Sequence, residues 1–309
     1  MFETPILFII FNRPDTTKQV FECIKAIKPK YLFIAADGPR SDRIDEIEKC
    51  NFVRKIVLDG IDWDCELKTL FREENQGCGL AVSSALNWFF ENVEEGIILE
   101  DDCLPHPEFF LFCSEMLEFY RNNKKVMFIG GGNFQNGIYR GKGSYYFSAY
   151  SHVWGWASWS RVWKNYSFTL NEIDDITFKK KLSKYFTKIT ERKYWMDIFI
   201  LMKKSAIDTW DYQLNFSVWK NNGVSIIPNV NLISNIGFGI DATHTTGNTK
   251  MANIPFSKIL PIQHPLKIAI NNKADRYFFK NHINHESLKI IIFSKIKKIL
   301  KSKKSDDLN

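Results

Sequence analysis

The N-terminal part of the sequence alternates four times between a short candidate strand and a longer amphipathic stretch, and no other feature constrains the fold as strongly. The candidate strands occupy residues 5–11, 31–36, 67–72 and 96–99, and all except the third are continuous apolar runs. Runs without polar alternation are typical of strands buried on both faces of a sheet. Between the first two runs, Val20, Ile24 and Ile27 recur at helical spacing. This alternation predicts an α/β fold with a mostly parallel, doubly wound central sheet flanked by helices.

The alternation ends at three consecutive glycines that begin at Gly130. We expect residues 131–260 to be a mixed second half that extends the same sheet and covers its edge, with a further strand at residues 226–228. Residues 1–130 are then the first half of a single domain, and residues 261–309 are a C-terminal extension. The sequence contains no internal repeat and no low-complexity linker.

The net charge of +7 is concentrated in a lysine-dense block at residues 289–304. Ile292, Ile296 and Ile299 share one face of a helix through this block, and lysines occupy the rest. This pattern is typical of a basic amphipathic helix that lies on an anionic membrane surface. A helix docked on the core, with a solvated lysine tail, fits the pattern equally well. Nucleic acid is not an expected partner, because no recognisable nucleic-acid-binding motif surrounds the block.

The N-terminus lacks the features of a secretory signal. No basic segment precedes its apolar run, and residues 6–11 are too short to cross a bilayer. The six cysteines include no CxxC pair, which argues against a zinc ribbon and against a disulfide framework. These features predict a cytoplasmic protein, attached peripherally to the inner face of the cell membrane if the basic helix binds lipid.

Three consecutive carboxylates, Glu100, Asp101 and Asp102, directly follow the apolar run at residues 96–99. This position places them at the carboxyl edge of the predicted sheet, where open α/β folds bind ligands. Mg²⁺ and Mn²⁺ need only one or two protein carboxylates, because water and phosphate oxygens complete their coordination. The triplet therefore fits a metal site, although a solvated acidic turn has the same sequence.

A glycine-containing loop, residues 77–79, precedes the third predicted helix. Gly77 and Gly79 let a ligand approach the backbone at a helix N-terminus, which favours anions, but a simple tight turn has the same composition. No Gly-Lys-Ser/Thr follows this loop, and no GxGxxG follows the first strand. The sequence thus excludes a P-loop kinase and a dinucleotide-dependent dehydrogenase.

Residues 97–102, followed by residues 107–110, resemble the EDD version of the DxD motif of GT-A glycosyltransferases, in particular the N-acetylglucosaminyltransferase I type. The similarity extends, in the order found in that family, to four further motifs. These are residues 37–38, 75–81, 155–156 and 210–211. The resemblance implies a GT-A-like fold in which residues 1–130 bind a nucleotide sugar and residues 131–260 bind the acceptor and carry the catalytic group.

The same resemblance assigns roles around the nucleotide diphosphate. It implies that Asp102 binds Mn²⁺ or Mg²⁺ and that Glu100 and Asp101 contact the donor. The remaining donor contacts that it implies are Asn12, Arg13, Asp37 and Gly77. Residues 12–14 also fit a plain turn before a helix, and the sequence leaves both interpretations open.

The segment at residues 152–159 contains three tryptophans beside polar residues. Indole rings stack on the apolar faces of sugars and donate hydrogen bonds to hydroxyl groups. We therefore expect Trp156 to contact the donor or acceptor sugar. The alternative is an aromatic packing cluster that joins the two halves of the fold.

Asp211 lies between Trp210 and Tyr212, just before an amphipathic run. In the family that the sequence resembles, an acid at this place accepts the proton of the acceptor hydroxyl, and the anomeric centre is inverted. We expect Asp211 to be the catalytic base. Its position before a helix also fits an N-cap.

A glycine-rich segment at residues 237–245 contains His244. The resemblance implies that His244 contacts the metal or the diphosphate. A structural histidine is the alternative for an isolated residue of this kind.

Together these features predict a metal-dependent glycosyltransferase. We expect it to move a sugar from a nucleotide sugar donor, with UDP as the expected nucleotide, to a glycan or lipid-linked glycan acceptor in bacterial surface polysaccharide or lipopolysaccharide synthesis. Two enzyme alternatives are a retaining glycosyltransferase and a sugar-phosphate nucleotidyltransferase. A nucleotidyltransferase should carry a glycine-rich basic motif after its first strand, and this sequence has no such motif there. An alternative of another class is a non-enzymatic membrane-active or interaction protein.

Overall fold

The computed structural model describes residues 1–170, 175–205, 207–238 and 251–283. In these ranges the strands are β1 (Ile6–Ile10), β2 (Tyr31–Ala36), β3 (Glu66–Phe71), β4 (Glu95–Glu100), β5 (Cys103–Pro105), β6 (Val126–Gly130), β7 (Tyr145–Ser148), β8 (Trp156–Trp159), β9 (Val224–Pro228) and β10 (Ile233–Asn235). Within this described part, eight strands form one sheet in the order β3-β2-β1-β4-β8-β6-β9-β7. The first four are mutually parallel, and β6 and β9 are also parallel. The mostly parallel α/β architecture expected from the sequence is thereby confirmed.

The helices are α1 (Pro14–Ile27), α2 (Ile44–Gly60), α3 (Cys78–Asn92), α4 (Pro107–Tyr120), α5 (Ser160–Trp163), α6 (Asp175–Tyr185), α7 (Ile189–Lys203), α8 (Asp211–Lys220) and α9 (Asn272–Phe278). A π-helical turn, Phe279–Ile283, continues α9. Helices cover both faces of the sheet because successive strand residues point to opposite sides. Phe8 packs in one core cluster with Val20 of α1 and Phe112 of α4. Its neighbour Leu7 packs in the other cluster with Ala85 of α3.

The second half of the chain continues the sheet begun by the first. Strands β6, β7, β8 and β9 extend it beyond β4, with antiparallel pairings at β4–β8, β8–β6 and β9–β7. The strand expected at residues 226–228 is the end of β9. The short pair β5–β10 links the segment after β4 to the second half. This pairing brings residues 235–238 over the end of β4.

The basic helix expected in residues 289–304 lies outside the described residues, as does His244. None of the helices that the structure describes is long and apolar enough to cross a membrane.

The order of the parallel strands fixes where a ligand can bind. From β1 the chain moves outward to β2 and β3, and then returns to place β4 on the opposite side of β1. The strand order therefore reverses between β1 and β4. Loops on the two sides of such a reversal diverge and leave a crevice at the carboxyl ends of the strands.

Candidate active site

A cleft with a volume of about 350 Å³ opens where β1, β2 and β4 end. Apolar and charged side chains share its wall, and both halves of the chain contribute. Its lining comprises Ile9, Ile10, Phe11, Arg13, Ala35, Asp37, Arg40, Arg72, Asn75, Gly77, Cys78, Ala81, Val82, Glu100, Asp101, Asp102, Trp154, Asp208, Asn235, Gly237 and Phe238. The structure thus brings together six of the residues expected to bind the donor or a metal: Arg13, Asp37, Gly77, Glu100, Asp101 and Asp102.

Arg13 holds two of the three consecutive carboxylates. Its Nη2 lies 2.7 Å from Asp101 Oδ1, and its Nη1 lies 2.8 Å from Asp102 Oδ2. Arg13 reaches both because it occupies the short turn between the end of β1 and Pro14, the first residue of α1. Burial lowers the pKa of Arg13, but the charges of Asp101 and Asp102 outweigh burial and raise it overall. The guanidinium is therefore a fixed positive charge at the floor of the cleft.

The three carboxylates differ in their surroundings. Asp101 is buried and also accepts a hydrogen bond from Phe11 N at 3.1 Å. Burial, and then the negative charges of Asp102 and Asp101, raise the pKa of Glu100 to about 8. The side chain of Asp102 remains 15% exposed, so one carboxylate of the triplet faces the cleft while another is enclosed.

Asp37 is placed by the loop that precedes α3. Gln76 N donates to its two oxygens at 3.0 and 3.1 Å, and Asn75 Nδ2 donates to Oδ2 at 3.0 Å. Burial raises the pKa of Asp37, although hydrogen bonds from Gln76 N and Gly38 N and the charge of Arg72 act against burial. Asp37 therefore joins the end of β2 to the loop after β3 at one side of the cleft.

Asn12 does not line the cleft, contrary to the expectation that it contacts the donor. Its Nδ2 donates to Glu46 Oε1 at 2.8 Å. Glu46 is buried on α2, and a buried carboxylate requires donors, which Asn12 and the Arg40 guanidinium supply. Arg40, which the sequence analysis did not single out, is the member of this group that reaches the cleft.

The N-terminus of α3 binds a carboxylate from the second half of the chain. Cys78 N and Gly79 N donate to Asp208 Oδ2 and Oδ1 at 3.0 and 2.8 Å. The glycines are required by this contact: a Cβ at Gly77 or at Gly79 would lie 2.8 Å from an Asp208 oxygen. Gly77 also has a φ of +80°, which other residues rarely adopt. The anion expected at this helix N-terminus is therefore supplied by the protein.

Asp211 is the first residue of α8, three residues after Asp208. The N-cap position belongs to Trp210, so the structure does not support the capping alternative. Thr209 Oγ1 donates to Asp211 Oδ1 at 2.5 Å. Asp211 is partly buried, behind the part of the cleft wall that Cys78 forms. The pKa of the Cys78 thiol is raised to about 12, first by burial and then by the negative charges of Glu100, Asp208 and Asp211.

Trp156 lies in the core and not in the cleft lining, so the described structure gives its predicted contact with a sugar no support. It is 1% exposed on β8, with its ring stacked on Phe128 at 5.3 Å and on Trp210 at 5.7 Å. The aromatic packing alternative describes this residue. The aromatic groups that line the cleft are Phe11, Trp154 and Phe238, and the last two contact each other at 5.6 Å.

Acidic side chains outnumber basic side chains around the cleft. Within the lining described above, five residues are carboxylates and three are arginines. Arg40 is in addition engaged by Glu46, which lies outside the lining. A ligand that carries phosphate groups would meet repulsion here unless a cation accompanied it.

The side-chain oxygens near Asp102 supply only part of the coordination that a hard divalent cation needs. In the portion of the chain that the structure covers, no three His, Cys, Asp or Glu side chains are grouped to hold a metal ion. Asp102 offers carboxylate oxygens at the cleft surface, and a phosphate-bearing ligand and water would have to complete the coordination. Metal and ligand would consequently bind together.

Several lining residues were not found from the sequence. Asp208 and Arg72 carry no motif of their own, and only the folded chain shows that both line the cleft. Trp154 belongs to the tryptophan-rich segment at residues 152–159 and lines the cleft. Strand alternation does not separate it from Trp156, because the two positions have the same parity.

No protein-family model matches the chain, and no curated protein matches it. Solved structures that match part of the chain include the mannosyltransferase PcManGT from Pyrobaculum calidifontis in complex with GDP-Man and Mn²⁺, with 13% identity and a TM-score of 0.36 over 52% of this chain and 46% of that chain. Residues 1–349 of S. aureus TarS match with 11% identity and a TM-score of 0.33 over 52% and 48%. A cytidylyltransferase from Leptospira borgpetersenii matches with 12% identity and a TM-score of 0.33 over 53% and 63%. The chain thus matches about half the length of the first two structures, and similarity at this level assigns no activity to it.

Proposed function

We propose that this protein is a metal-dependent glycosyltransferase. In this proposal the cleft binds a nucleoside diphosphate sugar, and the sugar is moved to a glycan or lipid-linked glycan acceptor with inversion at the anomeric carbon. Bacterial surface polysaccharide or lipopolysaccharide synthesis is the setting that we propose. The observation that carries the proposal is the excess of carboxylates in a partly apolar cleft at the point where strand order reverses.

The cleft has an apolar part, which suits the base of such a donor, and an acidic part, which suits a diphosphate bound together with a cation. Phe11, Ala35 and Val82 offer apolar surface to a flat base, and Asp37 is a hydrogen-bond acceptor beside them. The carboxylates at the end of β4 would repel a diphosphate alone. A divalent cation bound with the diphosphate would remove this repulsion, and the cleft is therefore suited to the pair.

We assign Asp102 to the cation. Arg13 pairs with Asp101 and Asp102, and Asp102 is the more exposed of these two carboxylates. Bound Mn²⁺ or Mg²⁺ would stabilise the negative charge that develops on the leaving diphosphate. Arg13 keeps Asp101 and Asp102 side by side and adds a positive charge to the floor of the cleft. His244 remains a further proposed ligand.

Asp211 is our proposed general base. Asp208 is closer to the cleft, but both of its oxygens already accept hydrogen bonds from the N-terminus of α3, from Cys78 N and Gly79 N. In the described contacts Asp211 accepts from the Thr209 hydroxyl. Removal of the acceptor proton by Asp211 during direct displacement would give an inverted product.

The experiment is an incubation of the full chain with a panel of nucleotide sugars, with Mn²⁺, with Mg²⁺ and with a chelator. Release of nucleoside diphosphate and a metal-dependent thermal shift with one donor are the expected results. Asp102→Asn is the matched variant, because it keeps the size of the side chain and removes the charge.

Two results would replace the proposal. Pyrophosphate release from a nucleoside triphosphate and a sugar 1-phosphate would identify a nucleotidyltransferase. Absence of any thermal shift or turnover with every donor, in a folded protein, would favour the non-enzymatic alternative.

A further inference from the structure

Helices α6 and α7 pack side by side on α8. Phe178 of α6 and Phe199 of α7 contact each other at 5.0 Å, and both contact Phe216 of α8, at 4.8 and 5.4 Å. Trp195 of α7 adds a contact with Trp219 of α8 at 4.7 Å. Because the buried faces of both helices converge on one helix, their opposite faces point outward together.

The outward face of α6 combines one large apolar side chain with lysines. Ile176, Lys179, Lys180 and Lys184 are exposed and follow one another at helical spacing. Ile176 is 66% exposed, although nothing in the helix prevents a polar residue at this position. The face is therefore cationic with an apolar group at its N-terminal end.

The outward face of α7 repeats this composition. Ile189, Lys193, Ile200 and Lys203 are exposed and lie along one stripe of the helix. Ile189 is 74% exposed and Ile200 is 40% exposed. Two helices that share an inner partner thus present isoleucine and lysine on one outer surface, which we call the α6–α7 surface.

The exposed charges of residues 176–205 have one sign. Among residues 176–205, all of which the structure describes, no Asp or Glu side chain is exposed: Glu191 is buried and Asp197 is partly buried. The exposed lysines of this segment are Lys179, Lys180, Lys184, Lys188, Lys193, Lys203 and Lys204. A segment of this kind attracts a polyanionic surface.

We propose that the α6–α7 surface binds an anionic lipid bilayer. The lysines would bind lipid phosphates, and Ile176, Ile189 and Ile200 would enter the interface between headgroups and acyl chains. Interfacial binding combines buried apolar area with attraction to anionic lipid, and this surface offers both. A nucleic acid would use the lysines but would give three exposed isoleucines no apolar environment.

The location of the surface adds a consequence that rests on the proposed function. Helix α7 ends at Lys203, and Asp208 lines the cleft only five residues later. A bilayer on the α6–α7 surface would therefore lie near the chain segment that leads from α7 to Asp208 and Asp211. A lipid-linked acceptor could then reach Asp211 from the membrane.

Vesicle binding tests the proposal without reference to catalysis, so its failure is separate from any failure of the proposed function. The full chain is sedimented with phosphatidylcholine vesicles that contain or lack phosphatidylglycerol. The variant Lys180→Gln/Lys184→Gln/Lys193→Gln should bind the anionic vesicles on the order of 100-fold more weakly, because each lysine near such a surface contributes about a fivefold factor. Binding should also weaken with added salt.

The matched control is Lys18→Gln/Lys124→Gln/Lys142→Gln, which removes the same charge from exposed lysines elsewhere. It should bind like the wild type. An equal loss in both triple variants would show that net charge, and not the α6–α7 surface, governs binding, and would overturn the proposal.

The isoleucines separate a membrane from other polyanions. Ile176→Ser/Ile189→Ser should lower vesicle binding about tenfold and leave any binding of duplex DNA unchanged, because only the bilayer accepts apolar side chains. Unchanged vesicle binding by this variant and by the α6–α7 lysine variant would assign the membrane contact to another part of the chain, such as residues 289–304. Loss of DNA binding by the lysine variant, with vesicle binding intact, would replace the bilayer by nucleic acid.

Discussion

Asp208 Oδ1 lies 2.8 Å from Gly79 N, and this contact joins the two halves of the chain at the cleft. The carboxylate occupies the N-terminus of α3, where helix amides attract negative charge. Thr209 O lies against the same glycine, so the backbone that leads to Asp211 is also fixed there. The position of the proposed base thus depends on the absence of a side chain at Gly79.

Gly79→Ala tests this dependence. The added Cβ would lie 2.8 Å from Asp208 Oδ1 and 2.9 Å from Thr209 O, and the second atom belongs to the backbone and cannot rotate away. We expect a loss of about 1–3 kcal/mol in the free energy of unfolding, typical of overpacking. Chemical denaturation measures it. In an Asp208→Ala background the loss should shrink, and an equal loss in both backgrounds would contradict the contact.

Asp211→Asn should remove turnover while preserving the fold and donor binding. Asparagine keeps the shape and can still accept from Thr209, but it cannot take up the acceptor proton. Loss of a general base lowers the rate by ~10² to 10⁴. Asp208→Asn is the control: it should lower stability by about 1 kcal/mol and leave most of the turnover. The reverse ranking of the two variants would make Asp208 the base, and a product with retained configuration would exclude direct displacement.

Asp102→Asn should abolish the part of donor affinity that depends on Mn²⁺. Arg13 still pairs with Asp101 in this variant, so the floor of the cleft should stay folded. Isothermal titration with donor, in the presence and absence of metal, measures the effect. Asp37→Asn, on the opposite side of the cleft, should weaken donor binding by a similar factor in both conditions. Metal-dependent affinity that survives in Asp102→Asn would place the cation elsewhere.

The sequence was sufficient for the architecture of the first half because each element there is locally encoded. The apolar runs of β1, β2 and β4 and the turn residues after them predict both the strands and the sheet edge that carries Asp37 and Asp102. The second half was predictable only in outline. Asp208 reaches α3 through a contact across 129 residues, and no local pattern encodes such a contact.

The tryptophan-rich segment shows the same limit at the level of one residue. Composition alone cannot separate Trp154, which lines the cleft, from Trp156, which is buried two positions later. Trp156→Ala should destabilise the protein by about 3–5 kcal/mol, because the ring stacks between Phe128 and Trp210. Trp154→Ala should have the smaller effect on the melting temperature and the larger effect on donor affinity. Equal effects of the two variants on donor binding would restore a site role for Trp156.

A buried carboxylate on α9, outside the cleft lining, should contribute to the way stability depends on pH. Asp275 of α9 accepts from Ser148 Oγ at 2.6 Å and from Ala149 N at 2.9 Å, and it thereby attaches α9 to the end of β7. Burial raises the pKa of Asp275 to about 7, and the charge of Glu191 adds to this effect. The protonated form is thus favoured in the folded protein more than in the unfolded chain.

The sign of the effect follows from proton counts. Between the unfolded pKa of Asp275, near 4, and its folded pKa, about 7, the folded state binds the extra proton, so the free energy of unfolding falls as pH rises. Burial lowers the pKa of His152 to about 3. Below pH ~6.5 this histidine therefore makes the free energy of unfolding rise with pH, opposite to the effect of Asp275. His152 contributes equally to the free energy of unfolding of the wild type and of Asp275→Asn, so its contribution cancels when the two values are subtracted at each pH. Asparagine can keep both hydrogen bonds, so the variant should match the wild type near pH 4 and exceed it by a few kcal/mol above pH 7 in urea denaturation. A difference that does not change with pH would show that Asp275 is ionised throughout.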